Sequence, residues 1–501
     1  MVGYGVTVRA NYADMMWVLW IFQAKCADLV QGEDITQLAD SLHGAYQTIY
    51  YWNLGLYFVK IHALNITKEK LRNVSKIKYI DLFAGMGGIR LGFGQACDEL
   101  SLSHECVFSS EIKPHAIDIY KYNFNEHYIY GDITKINAND IPDFDYLLAG
   151  FPCQAFSTAG KQLGFDDIRG TLFFDVARIL KEKKPKGFIL ENVDGFVTHD
   201  KKCKSDEIGR TLSTILNTLK DLNYKVTWKV LDAANFGVPQ KRKRVFIIGR
   251  LISEPNLENF NFKKSKIGDI LEQGLPTMTT NFIEKLLKYY NVDELKGKAI
   301  KDKRGGKDNI HSWDIAIKGE INRHQKIILE RLLRERRKKH WAKVKGIAWM
   351  DGMPLTYHEI ASFCTDIPAE QLKNLLSDLE KKGYVKLEHP KDIINIDGKN
   401  KRYPDTNKDK GYNIVTGKLS FEFNEILHPK DIANTLVATE VDRIGVVDGT
   451  GIRRLSDKEC LRFFGFPDNY QSNIPNKKLY DLIGNTVVVP VVKEVALRLL
   501  L

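Results

Sequence analysis

The chain has 501 residues, 44% of them hydrophobic and 27% charged, and carries a formal net charge of +11. That length holds more than one domain and a sizeable core, and the composition is that of an ordinary soluble protein and not of a low-complexity tract. The cation excess favours a polyanionic partner, nucleic acid ahead of an acidic membrane surface. The seven cysteines are scattered with no C-x-x-C pair, which excludes the common zinc frameworks and fits free thiols in a reducing cytoplasm.

Residues 1–76 read as a small helical extension. The apolar run Met15 to Phe22 is too short to cross a bilayer and lacks a signal-peptide layout, so nothing there points to export and no membrane partner is expected. DITQLADSLHGAYQTIYYW has a loose helix-turn-helix pattern, with a helical cap on the main domain as the plainer reading.

Residues 77–252 alternate strand-like and helix-like segments. KYIDLF, CVFSSE, DYLLAG, KGFILENV and KRVFIIGR are β-prone, while ARILKEKK and GRTLSTILNTLKDL show apolar residues at helical spacing. This predicts an α/β fold with a doubly wound, mostly parallel sheet, in which ligands lie beyond the carboxyl ends of the strands. Glu111, Cys153 and Glu191 all fall near such ends.

Three of these segments suggest chemistry. YIDLFAGMGGIRLGF breaks from a strand into Gly85, Gly87 and Gly88, where a backbone can turn tightly and a ligand approach closely; it is not the dinucleotide pattern G-x-G-x-x-G. Glu111 is placed to accept both hydroxyls of a ribose, and Asp132, expected to end a short strand in YGDIT, to accept from an exocyclic amine. Phe83 either stacks on an adenine or fills the core. Ribose and adenine without a phosphate describe S-adenosylmethionine. In LLAGFPCQAFSTAGKQ, Cys153 stands at the mouth of an apolar run and not inside it, as a reacting thiol would. Cys97, Cys106 and Cys460 read as core thiols.

Between 253 and 445 the alternation fades. HQKIILERLLRERRKKHWAKVK is a basic helical stretch, and MPLTYHEIASFCTDIPAEQLKNLLSDLEKKGYVKLEH reads as helix, turn, helix and strand, the order of a winged helix near 354–390. Residues 446–501 are compact and apolar again and are expected to complete the first domain.

The segments DLFAGMGGIRLGF, GDIT, GFPCQAFSTAGKQLGFDDIRGTLFFD, ENV, QKRKRVFIIG, LSDKECLRFFGFPD and GNTVVVPV occur in the order typical of DNA cytosine-C5 methyltransferases. The chain resembles that family, especially the bacterial enzymes of restriction–modification systems, over about 79–250 and 453–492. The resemblance implies a Rossmann-like, S-adenosylmethionine-dependent methyltransferase fold interrupted by a target-recognition domain. It implies that the Cys153 thiolate adds to C6 of cytosine, because C5 is too weak a nucleophile to take a methyl group directly. Glu191 becomes the acid at N3, with Arg244 on the cytosine carbonyl and on Glu191, and Arg242 beside it. Cofactor contacts are carried onto Phe83, Ala84, Gly85, Gly87, Gly88, Glu111, Ile112, Asp132, Ile133, Pro152, Leu172, Asn485 and Val487. DNA contacts are expected at Gln154, Ser157, Lys161, Arg169 and Gln240, the last of which is read as ordering the active-site loop and not as taking part in chemistry. The glycine-punctuated loop after Cys153 is expected to close over a flipped-out cytosine. The implied partner is double-stranded DNA, with a cognate endonuclease as a genetic and not a physical companion; a bacterial, cytoplasmic monomer is expected.

Two other readings stay open at this point. One is a relative acting on transfer RNA, disfavoured by the long middle region. The other is a DNA-binding regulator with a silent methyltransferase fold, disfavoured by intact Cys153, Glu191 and Arg244.

Overall fold

The computed structural model describes residues 76–126, 128–152, 172–203, 205–303, 306–396, 399–416 and 421–501. The chain divides into two compact units between Lys76 and Ile77, and the second of them, Ile77–Leu501, carries all the elements named below. The expected N-terminal helix-turn-helix lies outside the described residues.

The strands β1 (Ile77–Leu82), β2 (His104–Ser110), β3 (Tyr146–Gly150), β4 (Gly187–Val193), β5 (Lys225–Asp232) and β6 (Lys243–Arg250) form one sheet in the order β2-β1-β3-β4-β6-β5. The pairs β1–β2, β1–β3 and β3–β4 are parallel; β6 runs antiparallel between β4 and β5. Strands such as YLLAG are nearly continuous apolar runs because both faces are covered. Tyr79, Leu148, Ile189 and Phe246 join one core with the helices Gly88–Glu99 and Val489–Leu500. Ile80, Leu147, Phe188 and Leu190 join the other with Leu172–Lys183 and Arg210–Asp221. Gly92 lets the first helix pair close up, since a Cβ there would stand 2.6 Å from Val492 Cβ. β5 was not among the strands read from sequence; it is an edge strand of mostly half-buried residues whose lysines mask the pattern.

The chain leaves β1 toward β2 on one side and returns to β3 on the other. The carboxyl ends of β1 and β3 therefore diverge into a crevice, which is where ligands bind in such sheets. The loop of Phe83 to Gly87 opens one lip and Phe151-Pro152 the other.

Both expected limits of the middle region miss the breaks in packing. Leu257, Phe260 and Ile267, beyond 252, are buried in the core of the main sheet. The limit at 445/446 cuts the strand Ile444–Asp448, which belongs to a five-stranded sheet with Ala299–Ile300, Asn309–Ile310, Glu425–Ile426 and Gly451–Arg454. That sheet has a core of its own, including Leu286, Ile300, Phe423 and Ile452. A further core, from Trp313 to Ile414, is inserted between two of its strands. The expected basic helix is two helices, Arg323–Glu335 and Lys339–Lys345, broken at Arg336 to Lys338.

Candidate active site

The loop after β1 is built from left-handed residues: Phe83 at φ 54°, Gly85 at 55° and Gly87 at 79°. Glycine takes this conformation without strain, whereas Phe83 does so at a cost of about 1–2 kcal/mol, a sign of a constrained functional turn. Gly87 has a second reason to be glycine, because a Cβ would meet the Phe124 ring at 2.2 Å. A Cβ at Gly85 would instead find only the Phe83 carbonyl, at 4.0 Å, so the loop leaves open space at its mouth.

Glu111 follows β2 and is buried. One carboxylate oxygen accepts from the Gly85 N–H at 2.8 Å, the other from the N–H groups of Ile112 and Lys113 at 2.7 and 2.8 Å. It thereby fixes the glycine loop as well as standing at the crevice. Ile112 next to it is 69% exposed, an unusual position for a large aliphatic side chain. The strand expected at YGDIT is reduced to a single bridge between Ser110 and Tyr130. Asp132 then caps a short 3-10 turn: its Oδ1 accepts from the Thr134 hydroxyl and N–H at 2.8 and 3.1 Å, which lowers the carboxyl below its ordinary range. Ile133 is buried beneath it, and Leu172 opens the helix on the far side of the crevice.

The carboxy-terminal segment closes this pole. Gly88 lies so near it that a Cβ would come within 2.8 Å of Val487 Cγ2 and 3.0 Å of Thr486 Oγ1. Asn485 is exposed and donates to the Asp481 carbonyl at 2.7 Å. Phe83, Ala84, Gly85, Gly87, Gly88, Glu111, Asn485 and Val487 thus come from three distant stretches of chain to one end of the sheet.

The other pole centres on Glu191, within β4 and paired with Gly150 of β3 and Phe246 of β6. It is 8% exposed, and burial raises its carboxyl above the usual range against the opposing pull of Arg244 and then Arg242. Arg244 Nε stands 3.1 Å from Glu191 Oε1. Glu191 Oε2 is 3.5 Å from where a Gly150 Cβ would sit, so the absence of a side chain at Gly150 leaves room for the carboxyl beside the strand that leads to Cys153. Asn192 donates to the Phe151 carbonyl at 3.3 Å and steadies the start of that turn. Cys153, Gln154, Ser157, Lys161 and Arg169 lie outside the described residues; Pro152, the described residue just before them, is half-buried.

Two expected residues sit differently from the reading. Gln240, expected on DNA, is fully buried: its amide donates to the Phe463 carbonyl and accepts from the Leu436 N–H, both at 3.0 Å. With both ends of the amide bound to backbone, it fastens the joint between β6 and the carboxy-terminal segments and has no face for DNA. Arg242, expected beside the reacting base, is also buried; it donates to the carbonyls of Leu436, Gly484 and Thr486 at 3.3, 3.0 and 2.8 Å. Arg242 stands just before β6 and turns its guanidinium to the segment that carries Asn485 and Val487, while Arg244, within the strand, meets the carboxyl.

One group was missed. Asp81, fully buried under the glycine loop, accepts from the Tyr120 hydroxyl at 3.1 Å, and Tyr120 in turn meets Ser109 at 2.8 Å and Arg90 at 3.2 Å. Burial pushes the Asp81 carboxyl up to about 7. An acid in the middle of an apolar strand was the available signal. Of the expected core thiols, Cys97 and Cys460 are fully buried and Cys106 half-buried.

The family model described as C-5 cytosine-specific DNA methylase matches residues 77–500. The Type II methyltransferase M.NlaIV of Neisseria lactamica is 57% identical over 427 residues, covering 85% of this chain and 99% of the relative. M.NgoBV of Neisseria gonorrhoeae is 56% identical over 427 residues with the same coverage. M.HgiCI of Herpetosiphon aurantiacus is 41% identical over 449 residues, covering 84% of this chain and 97% of the relative.

Proposed function

The chain belongs to the C-5 cytosine-specific DNA methylase family and is a DNA cytosine-C5 methyltransferase of the Type II restriction–modification kind, and from that premise we propose that it works through a covalent Cys153–C6 adduct on a cytosine flipped out of a specific duplex sequence. The observation that carries the reading is the buried Glu191, braced by Arg244 and set beside Gly150, three residues before Cys153.

The thiolate of Cys153 adds to C6, and electron density moves toward N3. A carboxyl whose affinity for protons is raised by burial can hold a proton at N3 and neutralise that charge, which is the part of Glu191. Arg244 keeps the carboxyl in place and offers its remaining N–H groups to the cytosine carbonyl. Arg242 acts as a positioning residue: it ties the segment of Asn485 and Val487 to the strand that carries Arg244. Addition of the thiolate to C6 makes C5 nucleophilic; after methylation a base, for which a water suffices, takes the C5 proton and the sulfur departs as the thiolate, which restores the ring. The target must leave the duplex for a thiol to reach C6.

The open pole of the crevice fits S-adenosylmethionine. The space beside Gly85, the Glu111 and Asp132 carboxylates and exposed Ile112 match an adenosine. When bound there it supplies an electrophilic methyl group on a sulfonium. Glu111 and Asp132 would hold its ribose and exocyclic amine, and Phe83, Ile112 and Val487 would flank the base.

Purified protein is expected to transfer labelled methyl groups to duplex DNA, Cys153→Ala to reduce transfer to background, and wild type to form a stable adduct with DNA containing 5-fluorocytosine, since fluorine cannot leave as a proton does. An active enzyme that forms no such adduct removes Cys153 from the mechanism; labelling of transfer RNA but not DNA favours an RNA substrate.

A further inference from the structure

The inserted core between Trp313 and Ile414 has a defined topology. The helix Arg323–Glu335 is followed by the short helices Lys339–Lys345 and Tyr357–Ala361, a turn, the helix Ala369–Lys381, the strand Val385–Glu388, the hairpin Lys391–Ile396 with Lys399–Pro404, and the strand Gly411–Ile414. Tyr412 pairs with Leu387 on one side and bridges Leu355 on the other, through backbone hydrogen bonds of 3.0 and 2.7 Å. Gly411 is needed for this approach, because a Cβ would stand 2.6 Å from the Leu355 nitrogen. The turn between the two helices is held firmly. Thr356 and Glu359 form a capping box, the Tyr357 hydroxyl donates to the Ala369 carbonyl at 2.7 Å, Arg331 pairs with Asp366, and Ile367 is buried.

We propose that this insert is a winged-helix reader whose helix Ala369–Lys381 enters the DNA major groove, where Gln371, Lys373 and Asn374 contact base edges and set the methylated sequence. The proposal rests on the reading of the chain as a DNA methyltransferase.

The helix commits Leu372, Leu376 and Leu379 to the core and leaves the opposite face of its first two turns outward. Glu370, Gln371, Lys373 and Asn374 are exposed there, and the side chains of Gln371, Lys373 and Asn374 make no hydrogen bond or ion pair with another described residue. The N-terminal turns of the second helix are the part that meets base edges in helix-turn-helix proteins. A carboxamide offers one donor and one acceptor side by side, the complement of adenine N6 and N7, and an ammonium suits guanine O6 and N7. The basic run that sequence suggests for DNA contact is largely committed elsewhere. Arg337 pairs with Asp351, Lys338 with Glu335 and Lys345 with Glu359, and Arg336 is buried against Asn413. The hairpin adds a second contact. Its Ile393, Ile394 and Tyr403 are 42%, 48% and 40% exposed, while Arg402 anchors its base on the Ala348 and Trp349 carbonyls. Apolar and aromatic side chains on a projecting hairpin suit the sugar walls of a neighbouring groove.

The test uses the full chain with the double substitution Gln371→Ala/Asn374→Ala, assayed on a randomised duplex library by bisulfite sequencing, with cofactor binding and thermal melting measured alongside. Discrimination at one or two positions of the target is expected to fall by roughly 10- to 100-fold, with cofactor binding unchanged. Lys373→Gln, made separately, is expected to shift the preferred base at one position and serves if the double variant folds poorly. An unchanged sequence profile, or a uniform loss at all sequences with the ranking preserved, overturns the assignment of these side chains as readers. Methylation of no DNA by the wild type would instead sink the reading on which the proposal rests.

Discussion

The sheet of Ile77–Arg250 and the insert from Trp313 to Ile414 treat their polar side chains in opposite ways. In the sheet Glu111, Glu191 and Arg242 are nearly out of reach of water, each fixed by backbone or by a charge. In the insert Arg331, Arg337 and Lys345 are paired within the domain, while the polar groups Gln371, Lys373 and Asn374 of the helix Ala369–Lys381 stand in solvent. The difference follows from the tasks. An acid that holds a proton on a reacting ring needs a low-dielectric pocket that shifts its proton affinity and fixed neighbours that aim it. A side chain that compares base edges must remain accessible to a large rigid partner, and gains nothing from burial before that partner arrives.

Glu191→Gln should divide the two regions most sharply. It keeps the shape of the side chain and removes the proton, so kcat is expected to fall about 10²- to 10⁴-fold on every target, with the sequence profile and cofactor affinity retained. A change of profile would show that the sheet also takes part in reading. Next in size is Leu376→Ala, which empties a fully buried position of the inserted core. It should destabilise that region by about 2–5 kcal/mol, seen as faster amide exchange across Val385–Glu388 while the strand Gly187–Val193 keeps its protection. Equal loosening of both would show that the two cores unfold as one. The third effect is graded with pH and belongs to Asp81. Its carboxyl, raised to about 7 in the fold from 3.8, contributes stability that is full below about pH 4 and lost as pH rises through 7. Unfolding free energy should decline by at most about 1.4 kcal/mol per pH unit across that window, and Asp81→Asn should flatten the decline. An unchanged slope would mean that Asp81 is ionised in the fold.

The catalytic half was the more legible part of the sequence, for a physical reason. An acid and a glycine turn must each occupy one place relative to a strand end, so DLFAGMGG and ENV carry their geometry with them. Arg242 and Arg244 show the limit. Two residues apart, they would share one face of a continuous strand, and nothing in QKRKR says that Arg242 falls before β6 and holds the carbonyls of Gly484 and Thr486 while Arg244 meets Glu191. Gln240 was misplaced on DNA for the same reason, since its burial comes from Phe463 and Leu436, remote in sequence. The basic stretch around Arg334 was legible as charge but not as availability, because the partners of its cations, Asp351, Glu359 and Asp366, are scattered over later turns.

By itself the sequence determined the alternation of buried strands and amphipathic helices, the glycines that must turn left-handed, and the residue types that can perform methyl transfer to a pyrimidine. Those follow from local sterics, periodicity and intrinsic reactivity. Only the tertiary structure decided which carboxyl is desolvated, which arginine braces it, that the middle region contains two cores, and which face of the helix Ala369–Lys381 is left open. Each of these depends on what segments distant in the chain place beside a given side chain, and burial and pairing are properties of that neighbourhood.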